Sequence, residues 1–349
     1  MTMLDEAPRT TFEAPTAAPR PPEDRGLARD RVRLLVAGHE GVVSTRFAAL
    51  GEYLRPGDLL VVNDSATQAR ETDAELDGHG SIVLHAATPL DDGDWVVELR
   101  TAPDASRAIL DGVPGQQIRA GSVVVTLTAP HPTDASSPTG TGNRLWRAQV
   151  TGDLHAHLRR RGRPIAYGYL DRRYPLAAYQ TVFSRRPGSA EMPSAARPFS
   201  RRLVTELVTR GIGFAPITLH TGVSSQEAGE APAPEWFEVS TTTAARVEHT
   251  RRTGGRIVAV GTTATRALES AVSGGVTRAA SGWTDRVVTP AHPPEVVTGL
   301  ISGWHDPQAS HLLLVEAVAG IELAQAAYDA AATAGYDWHE FGDSGLFLP

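Results

Sequence analysis

The sequence predicts a mixed α/β (α+β) fold, a large α/β domain on a mixed sheet interrupted by a small inserted antiparallel β-domain, a barrel or a sandwich. Two observations carry this. Short apolar runs of the buried-strand type, LLVVN (59–63), GFAPITLH (213–220) and RIVAVG (256–261), alternate with helical stretches. Between about 72 and 150 the alternation stops, and SIVLHAA, DWVVELR, SVVVTLT and RLWRAQV succeed one another as valine-rich strands separated by Gly, Pro and Asp turns. The expected organisation is a flexible leader at 1–27, an α/β domain from 28–71 and 151–349, and the inserted β-domain at 72–150.

In chain order, the prolines of APTAAPRPPED keep the leader from regular structure. VRLLVAG then supplies a first strand, and RFAALGEYL (46–54) has helical spacing that stops at Arg55-Pro56-Gly57. Within the inserted region ASRAILDG (105–112) has room for a turn or two of helix, and APHPTDASSPTGTGN (129–143) reads as an exposed loop. LHAHLRRRG is a helix with a glycine stop, Ser200 caps another over 199–210, and 241–253 forms a third. RIVAVG runs straight into the helix TTATRALESA. VVTGLIS (296–302) is a further strand, and 309–332 holds a long, alanine-rich buried helix.

Composition removes several kinds of chemistry. The 349 residues include no cysteine, which excludes disulfides, thiolate metal sites and cysteine nucleophiles. All 33 basic residues are arginine, so there is no Schiff-base lysine, phosphate-loop lysine or lysine general base. No apolar run reaches the roughly eighteen residues of a membrane span, and the polar, proline-rich start lacks the apolar centre of a signal peptide. No membrane partner and a cytoplasmic location are expected. The net charge is −7, but 159–202 carries eleven arginines against Asp171 and Glu191, a balance of +9 that leaves −16 for the remainder. One polyanion-facing patch on an acidic protein fits that asymmetry, as do scattered surface ion pairs.

The most interpretable local motif is GTTATR (261–266), where a strand turns into a helix with Thr262 and Thr263 at its mouth and Arg266 one turn on. Free N–H groups there, beside two hydroxyls, suit a carboxylate or phosphate; a plain threonine cap is the alternative. His220 ends the strand of TLHTG, His305 follows another strand in SGWHDPQAS, and FGDS places Asp343 near the C-terminus. Groups at strand ends face the crevice of an open α/β sheet. No metal-ligand spacing links them, so no metal is expected.

These landmarks, RPGDLLVVND (55–64), YQTVFSRRPGSAEMPSA (179–195), ITLHTG (217–222), VAVGTTATRALES (258–270), GWTD (282–285) and the tail AYDAAATAGYDWHEFGDSGLFL (327–348), occur in an order that resembles the S-adenosylmethionine:tRNA ribosyltransferase-isomerases, from about Phe12 to Leu348. The resemblance implies a β-barrel inserted in a mixed α/β domain and S-adenosylmethionine as co-substrate. It implies transfer of its ribosyl group to a 7-aminomethyl-deazaguanine in tRNA, with rearrangement to an epoxycyclopentane and loss of adenine and methionine. It assigns His220, His305 and Asp343 to catalysis and Asn63, Thr262, Thr263 and Arg266 to the co-substrate. Tyr179, Gln180, Glu191 and Arg197 fall on the acceptor side, with tRNA tracked by the arginines of 159–202.

The chain departs from the family pattern beside that site. Where the family reads NNTRV, this sequence has Ala66 for the arginine; where it reads PTAGLHF, Pro198 replaces the histidine. The glycine-rich, histidine-bearing stretch after TLHTG is a shorter polar loop over 223–234, although Glu235 matches. Three readings follow. Arg197 and Glu191 compensate and the tRNA reaction persists; the scaffold binds S-adenosylmethionine but serves another, small-molecule acceptor; or the protein is a silent nucleoside- or RNA-binding relative.

Overall fold

The computed structural model describes residues 4, 6–13, 16–132, 141–224, 229–307 and 309–349. Parts of the expected leader and of the loops over 129–143 and 223–234 lie outside them. Nine strands form one mixed sheet in the order Ala280–Thr284, Glu235–Val239, Gly213–Leu219, Leu59–Asn63, Ile257–Val260, Gly299–Ser302, Ser344–Leu348, Arg33–Gly38 and Gly41–Arg46. The strand Leu59–Asn63 is buried along its whole length and pairs in parallel with both neighbours. That is why it reads as an uninterrupted apolar run.

Period-two alternation divides the core. Leu59, Val61, Ile257 and Ala259 face one cluster, covered by the helices Thr241–Arg252, Thr262–Ser270, Ser310–Ala319 and Ile321–Thr333. Leu60, Val62, Val258 and Val260 face the other, covered by the helix Arg201–Thr209 and the 3-10 turn Phe47–Glu52. Two helix expectations change. The stretch 46–54 is only that 3-10 turn, because Phe47 and Leu50 reach the core at i,i+3 and Arg55-Pro56-Gly57 ends the segment before an α-helix can propagate. The long helix over 309–332 is two helices meeting at 118°, broken at Gly320 with φ of 80°.

Six antiparallel strands, Glu71–Leu76, Gly80–Pro89, Trp95–Thr101, Gln117–Ala120, Val123–Pro130 and Leu145–Thr151, close into a barrel around Leu84, Val97, Leu99, Ile118, Val125 and Trp146. ASRAILDG contributes no helix; its backbone bridges to the barrel at Ala108–Arg100. The leader, expected to be flexible, lies on the α/β body. Thr10 N–H donates to Glu316 at 2.6 Å, Phe12 packs on Tyr328 and Trp338, and Ala18 N–H bonds Trp338 O. The prolines that prevent regular structure do not prevent docking, since the tether is a buried carboxylate taking backbone donors.

Barrel and body meet at a buried ionic cluster. His85 lies between Glu71, 3.1 Å from Nε2, and Glu98, 2.8 Å from Nδ1. Glu98 also takes Arg100 at 2.8 Å and Arg144 at 2.9 Å, and Arg144 continues to Glu230 at 2.5 Å. Glu71 takes Arg163 at 2.6 Å and Arg173. Burial pushes the Glu71 carboxyl up, but His85 and the two arginines outweigh it and hold it at about 2. Burial likewise opposes charge on His85, yet its two glutamates raise its pKa.

The signs follow by linkage. Stabilisation by Glu71 is present above its ordinary 4.5 and is lost as pH falls toward about 2. Stabilisation by His85 is complete below 6.5 and is lost as pH rises through its raised value. Removing one member strands the other charges, so Glu98→Gln is expected to lower the urea unfolding free energy by about 3–5 kcal/mol. Glu238→Gln, at the more exposed pair with Arg186, should cost about 0–1 kcal/mol.

Candidate active site

The parallel strands Leu59–Asn63, Ile257–Val260 and Gly299–Ser302 end on the same side, and the chain leaving the last two bounds a cavity of about 740 Å³. Gly261, Thr262, Thr263 and Arg266 line it, as do Ser302 to Pro307 and His311. Further walls come from 167–169, 191–195 and 221–224, from Glu235, and from Arg100 and Ser106 of the barrel region.

The helix Thr262–Ser270 opens at Gly261, whose φ of 97° favours glycine and whose added Cβ would lie 3.2 Å from Ala195 Cβ. No side chain caps this helix, so its first N–H groups and the two threonines are presented to the cavity. Asn63 is buried beneath them. It bonds the backbone of Ser65 and both backbone groups of Leu219, and its Nδ2 donates to Thr263 Oγ1 at 3.3 Å. Asn63 therefore positions Thr263 and lies outside the cavity lining.

Arg266 reaches the wall and is held there by four hydrogen bonds. It donates to Glu235 and to the carbonyls of Arg286, Ala233 and Thr284. Burial raises the Glu235 carboxyl, and Arg266 with the N–H of Gly222 works against that rise. The pair fixes the wall and commits most of the guanidinium to the scaffold.

His305 is a cavity residue. Its Nε2 lies 2.9 Å from Ser302 Oγ, and its ring stacks on His311 at 4.9 Å and 11°. Burial, and then the charge of the neighbouring histidines, holds His305 well below its ordinary value; burial, with Arg266, brings His311 to about 4. Both are neutral imidazoles at pH 7, able to accept a proton.

The remaining expected site residues lie elsewhere. His220 Nδ1 is 2.7 Å from Ser65 Oγ, its ring stacks on Trp236 at 5.3 Å, and it packs where a Cβ at Gly188 would stand. Asp343 accepts from Arg33 and from the backbone of Arg33 and Asp337. Tyr179 is buried against Phe341, and Gln180 clamps both backbone groups of Thr67. Arg197 is buried over Phe341, bonding Glu23 at 2.9 Å and Ala178 O. None of these five lines the cavity; Glu191 does. Local pattern could not separate these cases, because a strand-end polar group and a strand-end clamp look alike in sequence.

The arginines of 159–202 divide as well. Arg163, Arg172, Arg173, Arg186, Arg197 and Arg202 are in ion pairs. Arg159, Arg160 and Arg161, exposed in the last turn of the helix Leu154–Arg161, have none among the described residues, nor do Arg185 and Arg201. Sequence reasoning missed Tyr167, Tyr169, His311, His339 and Glu340, all on the cavity wall. The only signal was an aromatic YGY and a tail histidine, whose meeting depends on tertiary structure.

A histidine with a depressed pKa binds its proton later than the unfolded chain does. Between about 4 and 6.5 the unfolded state holds more protons, so the contribution of His311 weakens as pH falls through that window. The expected result of an NMR titration is a His311 imidazole midpoint near 4, against the ordinary 6.5.

Comparisons with known proteins agree with this architecture. A family model described as queuosine biosynthesis protein matches residues 11–347. Curated relatives named S-adenosylmethionine:tRNA ribosyltransferase-isomerase include one from Anaeromyxobacter dehalogenans, 36% identical over 92% of this chain and 93% of its own. Another, from Acidithiobacillus ferrooxidans, is 35% identical over 97% and 96%. A crystal structure of S-adenosylmethionine tRNA ribosyltransferase from Thermotoga maritima covers 97% of this chain and 99% of its own at 24% identity, with a TM-score of 0.53, and shares the fold. The extent of these matches, spanning sheet, barrel and cavity alike, makes the chain a member of the queuosine biosynthesis protein family.

Proposed function

We propose that this protein transfers and isomerises the ribosyl group of S-adenosylmethionine onto a 7-aminomethyl-deazaguanine base of tRNA, forming epoxyqueuosine, in the cytoplasm. The observation that carries the reading is one cavity holding both an uncapped helix mouth and a neutral histidine. The N–H groups at Thr262 and Thr263 suit the methionine carboxylate. The sulfonium acidifies the adjacent C5′ hydrogens, and His305, kept uncharged by burial, is placed to accept one as general base, with Ser302 orienting its Nε2. Loss of that proton opens the furanose at C4′–O4′, and a C1′ aldehyde forms as adenine leaves. The amine, having given up a proton, adds to C4′, the C5′ carbanion closes on C1′, and the resulting alkoxide displaces methionine from C5′ to form the epoxide. Exposed Arg159, Arg160 and Arg161 fit phosphate contacts, which position RNA without reading its sequence.

A second reading, a small-molecule acceptor on the same scaffold, is favoured by the six arginines of 159–202 already held in ion pairs.

Incubation with S-adenosylmethionine, with and without tRNA carrying the aminomethyl base, separates the two. Adenine release only with that tRNA is the expected result; binding of S-adenosylmethionine without tRNA-dependent release favours the second reading, and no affinity for S-adenosylmethionine sinks both. His305→Ala should lower kcat by about 10²–10⁴-fold, the usual range for a general base. Thr263→Val should raise KM for S-adenosylmethionine with little change in kcat, which steady-state kinetics will distinguish.

A further inference from the structure

Part of the cavity wall carries three flat rings in a row. Tyr167 and Tyr169 stack at 6.3 Å and 27°, and Tyr169 stacks on His339 at 4.8 Å and 16°. All three are half-buried and line the cavity. His339 holds φ of 66°, a left-handed conformation that a non-glycine residue keeps only when its surroundings impose it. At the Tyr167 end, Arg100 lies 5.4 Å over the ring and is fixed by Glu98.

Two carboxylates edge this ledge. Tyr167 hydroxyl donates to Glu191, which also takes the N–H of Ser224 at 3.1 Å and its hydroxyl. Tyr169 hydroxyl donates to Glu340. Glu71, Glu98, Glu230 and Glu235 each have an arginine partner, but among the described residues Glu191 and Glu340 have no arginine or histidine partner. Removal from water pushes the Glu191 carboxyl up, with the negative charge of Glu340 adding to the effect. A carboxylate withdrawn from water without a cation is unfavourable, and a cationic ligand relieves it.

Resting on the ribosyl-transfer reading, we propose that this ledge is the acceptor subsite and takes a planar heterocycle bearing a protonated amine, with the ring against Tyr167, Tyr169 and His339 and the ammonium on Glu191 and Glu340. Stacked aromatic faces accept any flat heterocycle, so the carboxylates supply the choice. Neutral adenine leaves them uncompensated. The sulfonium of S-adenosylmethionine has no N–H to donate, and its one ammonium sits beside the methionine carboxylate placed at Thr262 and Thr263, so the three donors offered to these carboxylates are the acceptor's.

Isothermal titration of the intact protein, without S-adenosylmethionine or tRNA, compares free 7-aminomethyl-7-deazaguanine with its 7-cyano counterpart, which shares the ring and lacks the cation. The amine should bind at least about 10-fold more tightly, as a charge-assisted contact requires. Glu191→Gln should bring the two within about 3-fold, by weakening the amine and leaving the nitrile unchanged; Glu340→Gln should act in the same direction. Equal affinity of the two bases for the unaltered protein, no binding of either, or a preference surviving both substitutions would overturn the proposal. So would displacement of the amine by S-adenosylmethionine, which would assign the ledge to the co-substrate. The unaltered protein alone decides the first comparison if a variant does not fold. Failure of tRNA-dependent adenine release would remove the transferase reading but leave a measured amine preference standing, so the two failures are distinguishable.

Discussion

A charge taken out of water must find its partner inside the protein, and that constraint organises this molecule. With arginine as the only permanent side-chain cation, buried carboxylates such as Asp58, Glu71, Glu98 and Glu269 are held by guanidinium forks, by His85 or by rows of backbone N–H groups. Asp58 takes Arg256. Glu269 takes the N–H groups of Glu295, Val296 and Val297. The cluster around His85 and Glu98 uses the same rule to fasten the barrel to the sheet, through Arg144 to Glu230 on one side and Arg163 and Arg173 on the other. Such clusters contribute less net stability than well-packed apolar groups, yet they are strongly directional. Here the direction places Arg100 beside Tyr167.

The same constraint separates scaffold from site. Arg266, Arg197, Asp343 and Asn63 look chemically promising in one dimension, but each is tied to partners within the fold. One cavity is lined by several groups with capacity left: the uncapped start of the helix after Gly261, the imidazole of His305, and the carboxylates edging Tyr167 and Tyr169. The apolar frame makes that gathering possible, because Leu59–Asn63 is buried on both faces and its parallel neighbours must end together.

Much of the fold was legible in sequence, and the reason is periodicity. Leu59 to Val62 and Ile257 to Val260 are apolar at every position because helices and turns cover both faces, and the barrel strands lack helical punctuation between them. The misreadings have local physical causes. Gly320 breaks a continuous alanine-rich pattern by its backbone conformation, and 46–54 is too tightly bounded to propagate an α-helix. The site was legible only in part. Thr262, Thr263, Arg266, His305 and Glu191 line the cavity. His220, Tyr179 and Gln180 belong to equally distinctive motifs, but Ser65, Phe341 and Thr67 engage them as supports. Distinguishing a support from a ligand-facing group requires knowing which partners are already satisfied, and that information exists only in three dimensions.

The division between satisfied scaffold and unsatisfied site is the central claim, and a crystal structure of the protein with S-adenosylmethionine tests it most directly. The account predicts the methionine carboxylate on the N–H groups at Thr262 and Thr263, the ribose within reach of His305, and Arg266 still bound to Glu235. A ligand held by Asp343 or His220, or an Arg266 that has released Glu235 to grip the carboxylate, would contradict it.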